Sequence, residues 1–264
     1  MRQLAVIVIP ARLDSKRLPR KVLADVKGKS VLQRTFERAS QAKQPFTTVI
    51  AVDESDELYD HAKGFAKNVW HTPDYVRNGT YRVAIMARHL ALSKADIVVN
   101  VQADEIDIDP ALIDELIDVL AKDVSIDMAT AVIKRPKGHR YSGNSTVRAI
   151  IEDDNLVDLV RTELTEDSQE EFFEHIGIAA FRKAALFKYM SFDPSERERA
   201  QNNEYLTAID KGLRIKVVEY KGNVTAINTA EDLEKANAPE PKPKPKKKKA
   251  PTRKVTKPKK KVKK

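Results

Sequence analysis

At 264 residues with 41% apolar content, the chain is long enough to bury one good core. It contains no cysteine, which excludes disulfides, thiolate catalysis and cysteine-bound zinc. The net charge is +9, no run approaches the roughly 18 apolar residues of a membrane helix, and the N-terminus lacks a signal-peptide pattern, so a soluble cytoplasmic protein without a membrane partner is expected.

The first element is an apolar run, Leu4 to Ile9, read as a buried strand. It opens directly into "PARLDSKRLPRK", where Arg12, Lys16, Arg17, Arg20 and Lys21 gather five positive charges. Like charges crowded together repel, so an anionic ligand is the economical explanation, and a polyphosphate is the first candidate. Neither G-x-x-x-x-G-K-[ST] nor G-x-G-x-x-G occurs, and Gly28 is the single glycine in the first 60 residues. Side chains rather than backbone must therefore hold the phosphates.

Further apolar runs at Thr47 to Val52, Ile97 to Val101, Met128 to Ile133, Val147 to Ile151, Gly177 to Phe181 and Ile215 to Val218 read as strands. Between them, Val31 to Ala42, Asp56 to Ala66, Thr80 to Ala91 and Pro110 to Ala121 read as helices. The last places Leu112, Ile113, Leu116, Ile117 and Leu120 at helical spacing behind Asp109 as N-cap and Pro110 at the first helical position. Thr229 and Asp232 have the spacing of a capping box ahead of a final short helix. Strands alternating with helices predict a three-layer α/β domain with a mainly parallel sheet, over residues 1–238. Such sheets bind ligands at the carboxyl ends of their strands, which is where the cationic stretch lies. The five histidines, His61, His71, His89, His139 and His175, show no H-E-x-x-H spacing, which argues against a zinc hydrolase.

From 239 to 264 the chain carries fourteen Lys/Arg against one Glu, a net of +13, which leaves −4 on residues 1–238. This proline-rich tail has no apolar periodicity and is expected to be disordered. Two readings fit it: a tether to nucleic acid, an anionic surface or an acidic partner, and a solubilising low-complexity end.

The ordered motifs of the body resemble the 3-deoxy-manno-octulosonate cytidylyltransferase family of sugar nucleotidyltransferases. In "IPARLDSKRLPRK", Pro10, Ala11, Arg12, Ser15, Arg17, Leu18, Pro19 and Lys21 match its N-terminal pattern, and Arg20 stands where glycine is usual. "NGTYR" is similar to S-G-T-E-R, keeping Gly79, Thr80 and Arg82 but placing Tyr81 at the acid. "VNVQADEI" resembles V-N-V-Q-G-D-E-P, with Gln102, Asp104 and Glu105 kept. "HIGIAAFR" from His175 resembles H-L-G-I-Y-G-Y-R, and "INTAEDLEKA" resembles V-D-T-P-E-D-L-E-R.

The resemblance implies a nucleotidyltransferase (Rossmann-like) fold, a homodimer, and Mg²⁺-dependent transfer of CMP from CTP to a sugar acceptor, with pyrophosphate released. It implies that Arg12 and Lys21 hold the triphosphate, assisted by Arg17, and that Pro10, Ala11, Ser15, Gly79, Thr80, Arg82 and Gln102 complete the nucleotide site. Asp104 is the implied metal ligand. The second metal position is Asn228, an amide where the family has aspartate; it brings no charge, so the metal is expected to be held less tightly unless Glu105, Asp107 or Glu231 compensates. Arg161, His175, Glu204 and Tyr205 fall on the sugar side, where Tyr205, Ala179 and Phe181 depart from the family and point to an altered acceptor. The alternative is a catalytically weakened nucleotide-binding homologue tethered to nucleic acid by its tail.

Overall fold

A computed structural model describes residues 3–15, 17–141 and 145–239. The tail from 240 onward, with the disorder and tethering expected of it, lies outside the described residues.

In chain order the elements are β1 (Ala5–Ala11), a 3₁₀ turn (Lys21–Leu23), β2 (Asp25–Val26), β3 (Lys29–Ser30), α1 (Val31–Ala39), β4 (Thr47–Val52), α2 (Asp56–Lys63), β5 (Val69–His71), α3 (Gly79–His89), β6 (Ile97–Val101) and α4 (Pro110–Lys122). They continue as β7 (Met128–Arg135), β8 (Val147–Glu152), β9 (Asn155–Arg161), β10 (Phe172–Arg182), α5 (Lys183–Met190), α6 (Glu196–Gln201), α7 (Tyr205–Asp210), β11 (Ile215–Glu219) and α8 (Ala230–Asn237). β2 and β3 form a separate two-stranded ribbon.

The main sheet has the order β5-β4-β1-β6-β10-β7-β11-β9-β8. Pairing is parallel through β5, β4, β1 and β6 and again between β7 and β11. β10 runs antiparallel between β6 and β7, and β8 and β9 form an antiparallel hairpin, so the sheet is mixed. The continuous apolar sequence of β1 and β6 follows from burial on both faces. One face packs Leu32, Leu58, Leu112 and Leu116 from α1, α2 and α4. The other packs Val83, Met86, Leu186 and Leu206 from α3, α5 and α7. Three layers result, as the alternation of strands and helices predicts.

Local chemistry sets the helix ends. Ser30, Ser55, Asn78 and Asp109 each accept a first-turn N–H with the side chain. Thr229 and Asp232 form the predicted capping box of α8. β10 is interrupted between His175 and Ala179, where its register on β7 shifts. That irregularity turns its middle residues toward the carboxyl end of β6.

Candidate active site

A cleft of about 1150 Å³ opens at the carboxyl ends of β1 and β6. Its walls carry Pro10, Ala11, Arg12, Ser15, Arg17 and Lys21 from β1 and the following loop, Gly79 and Arg82 from α3, and Gln102 and Asp104 after β6. Arg161, His175, Glu204, Tyr205 and Asn228 line it too. Of the residues singled out from sequence, Thr80, Ala179 and Phe181 lie fully buried beneath that surface, and Asp107 and Glu231 do not line it.

The cationic loop is held from several sides. Leu13 N–H donates to Asp53 at 2.8 Å. Arg20 adopts a left-handed backbone, φ 57°, at the position where glycine is usual in the resembled family. Glycine enters that region freely, whereas a residue with a Cβ does so at a cost of roughly 1–2 kcal/mol. Its guanidinium is forked onto Glu57. The next residue, Lys21, reaches inward and ion-pairs with Asp104, the two side chains being 14% and 11% exposed. Arg17 spans the cleft mouth, donating to Ser145 Oγ at 2.7 Å and to Asn228 Oδ1 at 2.9 Å.

Backbone pairing fixes the wall beyond β6. Gln102 N–H donates to Gly177 O at 3.1 Å, Ile106 N–H to Thr225 O at 3.1 Å, and Ile227 N–H to Asp104 O at 3.0 Å. These contacts seat the segment carrying Asn228 against the loop carrying Asp104. Glu105 is 5% exposed at the cleft wall, and its carboxylate accepts from Gly177 N–H at 3.0 Å. Burial, reinforced by the charge of Asp104, pushes its carboxyl up to about 8.

α3 begins at the cleft floor. Asn78 caps it, accepting from Tyr81 N–H at 2.9 Å and donating to the Tyr189 hydroxyl at 3.1 Å. Thr80 donates to Glu204 twice, from its backbone at 3.1 Å and its hydroxyl at 2.7 Å. Glu204 therefore bridges the start of α7 to the start of α3, and burial raises its carboxyl despite those two bonds. Arg82 points into the sheet edge, donating to Val52 O at 3.0 Å and to Thr72. Burial lowers its guanidinium from the usual value.

On the opposite wall, Thr130 donates its hydroxyl proton to Ile178 O at 2.7 Å and lies 2.8 Å from His175 Nε2. With that proton committed, Nε2 carries the imidazole hydrogen. Burial, then the charge of Arg161, pushes His175 down to about 4, so it is neutral at physiological pH. The Tyr205 ring packs edge-on to His175 at 5.4 Å and is 2% exposed. Arg161 clamps the end of α6 by donating to Gln201 O at 2.8 Å and Asn202 O at 3.3 Å.

Sequence reasoning missed three lining features. Arg135 and Glu174 ion-pair at 2.5 Å on the cleft wall. Arg77 lies over the Tyr81 ring at 4.6 Å and also lines the cleft. Ser145 is the far anchor of Arg17. The Arg135–Glu174 and Arg17–Ser145 pairs join segments distant in sequence, whereas Arg77 and Tyr81 are only four residues apart.

Among the described residues no group of three or more His, Cys, Asp or Glu forms a metal cage. Mg²⁺ rarely needs one, because phosphate oxygens and water supply most of its octahedron alongside one or two protein oxygens. The donor set fits that mode: Asp104 provides a charged oxygen and Asn228 a neutral one on adjoining backbone segments.

Arg12, Arg17 and Lys21 gather at the carboxyl end of a doubly covered α/β sheet, facing the Asp104 carboxylate, and the fold is that of a nucleotidyltransferase. The chain belongs to the cytidylyltransferase family, whose family model matches residues 6–237. It is 35% identical over 249 residues to the 3-deoxy-manno-octulosonate cytidylyltransferase of Chloroherpeton thalassium, covering 89% of this chain and 96% of the relative. It is 32% identical over 253 residues to the enzyme of the same name from Haemophilus influenzae strain Rd, covering 88% and 96%. Among solved structures, a CMP:2-keto-3-deoxy-manno-octonic acid synthetase complexed with CTP superposes with a TM-score of 0.78 at 26% identity, covering 89% of this chain and 97% of that one. The 4-diphosphocytidyl-2C-methyl-D-erythritol synthase of Anaerococcus prevotii shares the fold at a TM-score of 0.57 and 17% identity, covering 89% and 95%.

Proposed function

We propose that this chain transfers CMP from CTP to 3-deoxy-manno-octulosonate or a closely related acidic sugar. The observation that carries the reading is the meeting, in one cleft, of Arg12, Lys21, Gln102 and Asp104, which lie far apart in sequence and belong to the motifs that resemble the family. In the reaction, a sugar hydroxyl oxygen forms a bond to the α-phosphorus, the bond from that phosphorus to the bridging oxygen breaks, and pyrophosphate leaves with the electron pair. The hydroxyl proton passes to solvent.

The protein's share is positioning and charge stabilisation. Arg12 and Lys21 hold the triphosphate, and Arg17 covers it from the cleft mouth. Gly79 and Gln102 bound the nucleotide side, while Arg161 supplies a positive wall for an acidic acceptor. Asp104 and Asn228 are the residues that would hold Mg²⁺, which when bound neutralises charge on the phosphate oxygens. His175, neutral and with Nε2–H committed to Thr130, orients the acceptor without changing charge.

The enzyme works as a cytoplasmic homodimer feeding lipopolysaccharide synthesis in this reading, which family kinship supports. No helix among the described residues is long and apolar enough to cross a membrane.

The test is pyrophosphate release with Mg²⁺, each of the four NTPs and a panel of sugars. Turnover with CTP and an acidic ketose is expected, and Asp104→Ala should lower it at least 100-fold while leaving the melting transition cooperative. Turnover by Asp104→Ala at the wild-type rate would remove that residue from the reaction.

A further inference from the structure

Arg12 is the first cation of the loop beyond β1, and the peptide groups on both sides of it are held by one residue, Asp53. The Asp53 N–H donates to Ala11 O at 3.2 Å, and the Asp53 carboxylate accepts from Leu13 N–H at 2.8 Å. Ala11 O belongs to the peptide that enters Arg12, and Leu13 N–H to the peptide that leaves it. With both planes fixed, the two backbone dihedrals of Arg12 and the direction of its Cα–Cβ bond are fixed as well. The second Asp53 oxygen accepts from Ser55 N–H at 3.3 Å. Both oxygens thus go to backbone, and the Arg12 guanidinium, which lines the cleft, is left for a ligand.

Asp53 is itself anchored. It directly follows β4, its carbonyl oxygen lies 2.9 Å from His71 Nδ1 at the end of β5, and the next residue, Glu54, donates its N–H to Asp74 at 3.0 Å. The half-buried carboxylate also acts through its charge. Burial lowers the guanidinium of Arg82; Asp53 and then Asp74 oppose that, and Arg12 adds to it. A carboxylate near both arginines eases the repulsion between them. The other outside grip on the loop, Arg20 on Glu57, is at its far end, with side chains 57% and 52% exposed, a pair too solvated to set the direction of Arg12.

We propose that Asp53 is a positioning residue for Arg12, fixing the backbone on both sides of it so that the guanidinium is already aimed at the triphosphate. The identity of the ligand rests on the functional reading above; the clamp rests on the two bonds that flank Arg12. Such a hold acts on the phosphates that Arg12 reaches and on nothing else in the nucleotide, which separates it from a general loss of structure. Misplacing a group by about 1 Å costs up to ~100-fold where it must meet its target, so the effect is measurable.

The test measures dissociation constants of CTP and CMP by equilibrium dialysis on the full-length chain, with Mg²⁺ and without acceptor. Asp53→Ala should weaken CTP at least about tenfold, equivalent to about 1.4 kcal/mol, and CMP, which lacks two of the three phosphates, by less than about twofold. In an Arg12→Ala background the same substitution should change CTP affinity by less than about twofold, because the group it aims is gone. Asp53→Asn keeps one oxygen for Leu13 N–H but loses the charge, and covers the case in which Asp53→Ala fails to fold. It should weaken CTP at least about threefold, with the same sparing of CMP and the same dependence on Arg12. Equal losses for CTP and CMP, or losses that add in the double variant, would show a role in folding alone and overturn the inference. An Asp53→Ala chain that binds CTP like wild type overturns it too. A wild-type chain that binds no CTP overturns the functional reading, and the inference with it.

Discussion

Replacing Gly177 by alanine should unseat Glu105 and loosen the cleft wall. A Cβ built on Gly177 lies 2.5 Å from Glu105 Oε1, 3.1 Å from Gln102 Cδ and 3.2 Å from Gln102 Oε1. Ordinary contact begins at 3.4 Å, so the carboxylate end of Glu105 must retreat by about 0.9 Å. The retreat breaks the 3.0 Å bond from Gly177 N–H. A buried acceptor left unsatisfied costs about 1–3 kcal/mol, and a loss of that size is expected. For a domain of this size that lowers Tm by roughly 2–12 °C, read by calorimetry or a thermal-shift assay. Gly177 does not occupy the left-handed region, so the effect comes from contact and not from backbone strain. Glu105→Ala in the same chain should relieve most of it, since the clashing group is gone. Gly79→Ala, whose Cβ meets Pro10 Cγ at 3.4 Å, is the control and should shift stability by under about 1 kcal/mol. A Gly177→Ala protein that melts with wild type and turns over normally would refute the packing argument.

His175 stays neutral in the fold but charges in the unfolded chain, so stability falls as pH drops from about 6.5 toward 4. The loss reaches about 3 kcal/mol at the bottom of that window and is absent above it; urea midpoints of His175→Gln against pH should be flatter by that amount, and identical slopes would contradict the assignment. The Tyr205 hydroxyl has a 3.5 Å contact from Asn100 Nδ2, so Tyr205→Phe should cost under about 1 kcal/mol and leave the acceptor KM unchanged. Tyr205→Ala should cost about 3–5 kcal/mol, because the ring packs between His175 and Phe181. A severalfold rise in KM for Tyr205→Phe would show that the hydroxyl reaches the sugar.

Sequence alone located β4 and β6 to the residue, because each is a short β-branched run whose apolar residues are buried. It found part of β10, Gly177 to Phe181, and missed Phe172 to Ile176, because the register shift breaks the periodicity. β9 escaped notice because only Leu156 and Leu159 are buried on it, too sparse a signal to separate from a loop. α6 and α7 span six residues each, shorter than a periodic pattern needs. The cationic loop was legible because five positive charges fall within ten residues, Arg12 to Lys21. Glu204, which the resemblance puts on the acceptor side, accepts from the backbone and hydroxyl of Thr80. Spacing carries no trace of a bond between positions so far apart, nor of the Arg17 bridge to Ser145 and Asn228.

The seat of Ile227 on Asp104 also bears on how the protein is made. Synthesis delivers Arg12 and Lys21 first, whereas the strip from Thr225 to Asn228 emerges only after β11 has been completed. A ribosome-bound chain lacking that strip offers an open-sided cleft, so nucleotide has little to grip during the early stages of folding. Once the strip docks, any ligand held by both Arg12 and Asn228 fastens the beginning of the chain to its end. Ligand-induced protection from proteolysis would then report on completed synthesis, and should be absent from chains released before residue 225.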